Sequence, residues 1–192
     1  MKTIGLTGSI GMGKTETAKL FAEQGIPVFD SDAAVHDLLG SGGAAVEKVE
    51  KIFPSVKKAD YIDRKKLGAK VFGNSVALEK LENLLHPMVT SKRNEFLKNI
   101  SSDLVIFDIP LLFEKGYEKD FDFIIVVSAA SDIQKKRVLE RAGMTEQRYA
   151  DILSKQMPDA EKTTRADFII QTGRGLDYAK NQVIDIIKKI RE

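Results

Sequence analysis

The chain has 192 residues, 43% of them hydrophobic and 30% charged, and its 30 Lys and Arg against 28 Asp and Glu leave a net charge of +2. That composition is that of a soluble globular protein of about one domain with a real core, and so small an excess of base does not indicate a nucleic-acid partner. Cysteine is absent, which excludes disulfides, thiolate metal sites and a cysteine nucleophile and fits a reducing cytoplasm. The opening "MKTIGLTGSI" lacks the apolar core of a secretory signal, and no apolar run approaches the ~20 residues that cross a bilayer, so a cytoplasmic protein without a membrane partner is expected.

Short β-branched runs alternate with helical patterns, which predicts an α/β domain with a mainly parallel sheet. The first strand is read over Thr3 to Thr7 and is followed by a helix from Lys14 to about Gln24, ended by Gly25. Pro27 leads into a second strand, "PVFD". About seventy residues then intervene before the next strand, far more than one crossover helix requires. They read as helices around Ala33 to Leu39, Gly43 to Phe53, Arg64 to Phe72 and Val76 to Leu85. After Pro87, which biases His86 to an extended conformation, another runs to about Lys98. This excursion, residues 33–100, is expected to be a helical acceptor-binding subdomain inside a single domain spanning 1–192. Three more strands are expected at Leu104 to Asp108, Phe121 to Ser128 and Asp167 to Gln171. A C-terminal helix from about Leu176 to Arg191 carries Val183, Ile186, Ile187 and Ile190 on one face.

The most informative stretch is "GLTGSIGMGKTETAKLF", in which Gly8 to Thr15 read G-x-x-x-x-G-K-T. Glycines at 8, 11 and 13 let a loop turn its N–H groups around phosphate oxygens, and the helix that follows presents unpaired amides and the positive end of its dipole. Lys14 can reach the β- and γ-phosphates, and the Thr15 hydroxyl can join the shell of a Mg²⁺ ion. Gly8, Ser9, Ile10, Gly11, Met12, Gly13, Lys14 and Thr15 are therefore candidate ATP-binding residues. No N-K-x-D base-reading segment accompanies the loop. "DLLG" at 37–40 falls in a predicted helix, so a guanine-nucleotide switch is not indicated.

"VFDSD" places Asp30 and Asp32 at the end of the second strand, the edge of a parallel sheet that bears the loop. An acid there can accept the proton of an attacking hydroxyl, hold that hydroxyl in line, or enter a Mg²⁺ shell through water. The same residues suit a helix N-cap. Asp108, at the end of "LVIFD", can reach the metal shell in the same way. Arg137 and Arg141 are four apart, as on one helix face, and "AGMT" after them offers Gly143 as a stop and Thr145 as the next cap. A basic helical hairpin of this kind, within residues 131–160, suits a lid over transferring phosphates.

Together the segments "GLTGSIGMGKT", "GIPVFDSD", "IDRKKLGAKVF", "LLHPMV", "FDIPLLFE", "FDFIIVV", "RVLERAGMT" and "ADFIIQTG", over nearly the whole chain, resemble the dephospho-coenzyme A kinases. The resemblance implies a P-loop kinase fold with a five-stranded parallel sheet in the order 2-3-1-4-5, flanked by helices, with an acceptor-binding helical subdomain and a mobile lid. It implies transfer from ATP, with Mg²⁺, to the ribose 3′-hydroxyl of dephospho-CoA, the last step of CoA synthesis. Asp32, Lys14 and Arg141 would be catalytic, with Arg137 and Arg141 on the phosphates. Asp32, Arg64, His86, Arg93, Asp108, Pro110 and Leu111 would bind the acceptor, and Leu112 and Phe113 are candidates for its apolar wall. Departures occur at Thr90 and Gly68, where basic residues are common in the family; Lys92 and Arg93 are the nearest substitutes. Another small-molecule P-loop kinase, or a nucleotide-gated binding protein, are the alternatives.

Overall fold

A computed structural model describes all residues, Met1–Glu192. The chain folds as two compact units, one formed by Met1–Phe29 with Ser101–Glu192 and the other by Asp30–Ile100. The first unit is built on a five-stranded sheet of β1 (Lys2–Thr7), β2 (Val28–Asp30), β5 (Leu104–Asp108), β6 (Phe123–Ser128) and β7 (Phe168–Gln171). Its order is β2-β5-β1-β6-β7, and β1 runs parallel to both β5 and β6, as β6 does to β7. This is the order expected from sequence once a short hairpin in the other unit is counted.

Both faces of the sheet are covered, which is why its strands are continuous apolar runs rather than alternating ones. Ile125 and Val127 point to one side, where α1 (Lys14–Glu23) and α9 (Leu176–Arg191) bring Leu20, Phe21, Val183, Ile187 and Ile190 into the same core. Ile124 and Val126 point to the other, against Leu112, Phe113, Phe121 and Met157, as the two-residue period of a strand requires. Leu112 and Phe113 are 0% and 5% exposed. They are therefore core rather than an acceptor wall, whereas Leu111 is exposed.

The second unit contains α2 (Ser31–Leu39), α3 (Val46–Ile52), the hairpin β3 (Lys57–Lys58) and β4 (Tyr61–Ile62), α4 (Arg64–Val71) and α5 (Ser75–Lys98). Leu38, Val49, Phe53, Ile62, Leu67, Leu81 and Leu85 form its core. The helix expected from Gly43 begins only at Val46, because residues 40–45 form a turn in which Ala45 N–H donates to the Leu38 carbonyl. A side chain at Gly43 would lie 2.3 Å from that oxygen. The hairpin had no sequence signal. Its strands are two residues each, its turn uses Ala59 at φ 53 instead of glycine, and it is fastened by Glu50, which accepts from the amides of Ser55, Val56 and Lys57.

Pro87 does not break the helical run. It lies inside α5, which continues from Ser75 to Lys98, so His86 is helical rather than extended. The apolar series Leu81, Leu84, Leu85, Met88 and Val89 packs on one core without interruption through the proline. Burial of that stripe outweighs one missing i to i−4 bond.

One charged contact stands out in the first unit. Lys162, on α8 (Asp159–Thr164), is fully buried and places its ammonium 2.8 Å from Glu114. The same Glu114 oxygen accepts from Met157 N–H at 2.8 Å. Burial raises the Glu114 carboxyl, but the Lys162 ammonium paired with it and the amides of Glu114 and Met157 together outweigh it and hold the carboxyl below its ordinary 4.5.

Two outcomes follow from this packing. Pro87→Ala restores an N–H to the middle of α5 at an exposed position and is expected to raise stability by about 1–2 kcal/mol. The midpoint of urea unfolding should rise accordingly; a fall would show that the ring itself packs. Glu114→Gln leaves a buried ammonium without its counter-charge and should lower stability by about 3 kcal/mol or more at neutral pH. Because the folded carboxyl is depressed, its contribution is complete above pH 4.5 and fades as pH drops through the lower folded value. The difference in Tm between wild type and Glu114→Gln should narrow only in that acid range, and a gap that begins to narrow while the pH is still well above 4.5 would contradict it.

Candidate active site

Strand β1 ends at Thr7 and passes directly into the glycine loop, which opens α1 at Lys14. Each glycine of the loop meets a different limit. A side chain at Gly8 would sit 2.7 Å from the Val127 carbonyl oxygen, and one at Gly11 would sit 2.5 Å from Val138. Gly11 and Gly13 also adopt φ values of 78 and 93, which L-residues with side chains rarely take. The loop therefore lies against the sheet end and the following α6 (Ser131–Leu139) closely enough that only glycine fits.

Its backbone hydrogen bonds divide sharply. Met12 N–H closes a turn on the Ser9 carbonyl at 3.1 Å. The Gly13 carbonyl accepts from both the amide and the hydroxyl of Thr17, at 3.0 and 3.1 Å. Ile10 N–H donates to Gln156 Oε1 at 3.0 Å. The amides of Gly11, Gly13, Lys14 and Thr15 take no acceptor from the chain. The Ser9 hydroxyl is likewise buried without a partner. Unpaired donors converging on a helix N-terminus are the chemistry of an anion site, and this one carries Lys14 beside it.

Lys14 is not free. Its ammonium is ion-paired with Asp108, whose side chain is 4% exposed at the end of β5, while that of Lys14 is 15% exposed. The pair fixes the lysine at the carboxyl edge of the sheet. The Pro110 carbonyl, just beyond, accepts from the Thr7 hydroxyl at 3.3 Å. Thr15 is exposed, and its hydroxyl makes no bond within the chain. An unengaged oxygen one residue from the lysine fits an oxygen-seeking divalent cation.

The arginines separate. Arg137 is on α6, but the helix ends at Leu139 with Glu140 as its cap, so Arg141 lies in the turn beyond and the two do not share a helix face. The stop comes earlier than Gly143 because the Arg141 amide turns back to the Val138 carbonyl, three residues behind, in the tighter pattern of a helix end. Thr145 does cap α7 (Glu146–Leu153), accepting from Arg148 N–H. Arg141 is exposed, with no hydrogen-bond or ion-pair partner. Arg137 is committed to the protein. Nη1 donates to the Thr172 hydroxyl and Nη2 to its carbonyl, each at 2.9 Å, and a longer 3.5 Å contact reaches the Gly11 carbonyl.

In the second unit Asp30 takes the capping role, accepting from Ala33 N–H at 2.9 Å. Asp32, in the first turn of α2, is exposed and unpaired. Arg64, the first residue of α4, is also exposed and unpaired. His86 is exposed and Arg93 half-buried, both on α5. The Thr90 hydroxyl folds back to the His86 carbonyl at 3.0 Å. Lys92 pairs loosely with Asp37 at 3.6 Å, and Arg93 follows it on the same helix.

Several residues around the loop escaped the sequence reading: Gln134, Tyr149, Gln156 and Thr172. Gln134 is buried, donating to the Ile10 carbonyl at 2.8 Å and accepting from the Tyr149 hydroxyl at 3.1 Å. The available signal was spacing, since Gln134 precedes Arg137 by one helical turn, and Thr172 heads the "TGRG" turn after the last strand.

The dephospho-CoA kinase family model matches residues 2–177. A dephospho-CoA kinase of Novosphingobium aromaticivorans is 49% identical over 190 residues, covering 98% of this chain and 94% of that one. One of Mesorhizobium japonicum is 48% identical over 194 residues, covering 100% and 98%. Among solved structures, a protein of Thermus thermophilus matches at a TM-score of 0.88 with 31% identity, covering 98% of this chain and 96% of that one. Dephospho-CoA kinase from Campylobacter jejuni matches at 0.64 with 26% identity, covering 98% and 97%. The shikimate kinase of Bacteroides thetaiotaomicron, at 0.55 and 17% identity over 100% and 99% of the two chains, shares the fold. With the glycine loop, the strand order and matches of this extent in agreement, the chain belongs to the dephospho-CoA kinase family.

Proposed function

We propose that this kinase transfers the γ-phosphoryl group of ATP to the ribose 3′-hydroxyl of dephospho-CoA, giving CoA and ADP. One observation carries the reading: four unpaired amides, Gly11, Gly13, Lys14 and Thr15, open on one helix start beside the Lys14 ammonium. In the reaction the acceptor oxygen bonds to the γ-phosphorus as the bond to the ADP oxygen breaks. The hydroxyl proton passes to Asp32, which also holds that hydroxyl in line; the absence of any competing partner on Asp32 supports this role. Lys14, steadied by Asp108, sets its charge against the β- and γ-phosphates. The unpaired Arg141 is suited to the charge that spreads over the transferring group, as a guanidinium can meet it with two parallel hydrogen bonds.

Mg²⁺ bound with ATP would neutralise the phosphate oxygens; the free Thr15 hydroxyl would hold it directly, with Asp32 and Asp108 contributing through water. The acceptor is read onto Arg64, His86, Arg93, Pro110 and Leu111, with Arg64 and Arg93 the candidates for its diphosphate. Residues 33–100 would then be the acceptor-binding part and 131–160 the lid. Both substrates are soluble small molecules, the setting is the cytoplasm, and no helix is long and apolar enough to cross a membrane.

A coupled ADP-release assay with dephospho-CoA, adenosine and nucleoside monophosphates as rival acceptors tests the reading. Turnover is expected with dephospho-CoA alone, and turnover only with a monophosphate would replace it. Lys14→Ala should lower kcat/KM by roughly 10²-fold or more, and a near-normal value would remove the lysine from the phosphates. Asp32→Asn should lower kcat by roughly 10²-fold or more while ATP affinity stays close to wild type. Collapse of ATP affinity instead would assign Asp32 to the metal or to folding.

A further inference from the structure

The hydrogen bonds on the outer side of the glycine loop follow an order that the phosphate site alone does not explain. The Ile10 carbonyl accepts from Gln134 Nε2 at 2.8 Å. The Met12 carbonyl accepts from the Thr172 hydroxyl at 2.6 Å. Between them the Gly11 carbonyl has the longer Arg137 contact at 3.5 Å. In a planar trans peptide, a carbonyl and the N–H of the next residue point in opposite directions. Fixing the Ile10 carbonyl therefore aims the Gly11 amide, and fixing the Met12 carbonyl aims the Gly13 amide. Those two amides are unpaired, whereas the Met12 amide, which follows the weakly held Gly11 carbonyl, is consumed inside the loop by Ser9. The strongly held carbonyls are the ones whose partner amides remain available.

The two holders are themselves secured. Gln134 is 5% exposed and Thr172 8%. The Gln134 carboxamide has its oxygen engaged by Tyr149, which fixes its orientation so that the nitrogen faces Ile10. Thr172 receives Arg137 on its hydroxyl, and this turns the hydroxyl proton toward Met12. Its own amide donates to the Ser128 carbonyl at 2.9 Å, anchoring it to β6. Arg137 stands one helical turn after Gln134, so α6 supplies one holder and locks the other. Gln156 adds a bond to the Ile10 amide from the opposite side.

We infer that Gln134 and Thr172, the latter locked by Arg137, are positioning residues for the phosphoryl donor: they aim the Gly11 and Gly13 amides at the nucleotide's phosphates without touching it. This rests on ATP being the donor, and it assigns Arg137 to the loop rather than to the transferring phosphate. A methyl group in place of the hydroxyl at Thr172 nearly keeps the side-chain shape while removing both the bond to the Met12 carbonyl and the acceptor for Arg137 Nη1, and serine restores both, so the pair Thr172→Val and Thr172→Ser separates orientation from fit.

Each variant is measured for ATP affinity by equilibrium titration, for KM and kcat with both substrates, and for Tm. Thr172→Val is expected to weaken ATP binding roughly 10-fold, raising KM for ATP more than it lowers kcat and leaving KM for dephospho-CoA unchanged. Thr172→Ser, which keeps the donor, should return ATP affinity to within about 2-fold of wild type. Gln134→Met should behave as Thr172→Val; if it fails to fold, the two Thr172 variants decide. Equal ATP affinity in Thr172→Val and wild type would overturn the inference. So would a loss of affinity for both substrates that tracks a fall in Tm and that serine does not rescue. Because the readout is ATP affinity, an error in the identity of the acceptor leaves this test standing, whereas failure of the wild-type chain to bind ATP would remove both conclusions.

Discussion

A peptide group cannot turn its carbonyl and the amide that follows it to the same side. A loop that gathers N–H groups around an anion therefore has to send the matching carbonyls outward, where they must find donors or remain unpaired in the protein. In this kinase the donors are side chains that arrive from three places: Gln134 from α6, Thr172 from the turn after β7, and Thr17 from α1 itself. The sheet and its crossover helices matter here because they deliver those donors to the back of the loop. Glycine at 8 and 11 then lets the loop approach the Val127 backbone and α6 closely enough to use them.

The same end of the sheet collects the charges. Asp108 closes β5 and holds Lys14, so the lysine is tied to a rigid strand and not to a flexible surface. Placing a carboxylate behind an ammonium lowers the net charge of the site while fixing the position of the cation. For transfer that depends on where charges sit more than on how many there are, position is the more valuable property. The groups read as acting on the transferring phosphate or on the acceptor hydroxyl, Arg141 and Asp32, are by contrast exposed and unpaired. A group fastened to the protein suits an unchanging cradle, and one without a partner suits contact with a changing substrate.

Much of this was legible in the residues. The continuous apolar runs of β5 and β6, the G-x-x-x-x-G-K-T spacing, the stripe on α9 and the Thr145 cap are local patterns set by periodicity or capping chemistry. What failed was decided by tertiary contacts. Pro87 reads as a break, yet the apolar face it interrupts is continuous in space and keeps α5 whole. Arg137 and Arg141 have helical spacing, but spacing cannot show that the chain turns after Leu139. Gln134 and Thr172 are polar residues whose partners lie 124 and 160 positions away, and Lys162 is a lysine with 0% exposure in a six-residue helix. No window of sequence contains such information.

The segment joining α7 to α8 ties together two parts of the chain that are far apart in sequence. Gln156 reaches the nucleotide loop through its side chain, and the next residue, Met157, grips the loop after β5 through its backbone and Glu114. Consecutive residues cannot travel independently. A displacement of this connector therefore loads both contacts, much as one crank bears on two shafts.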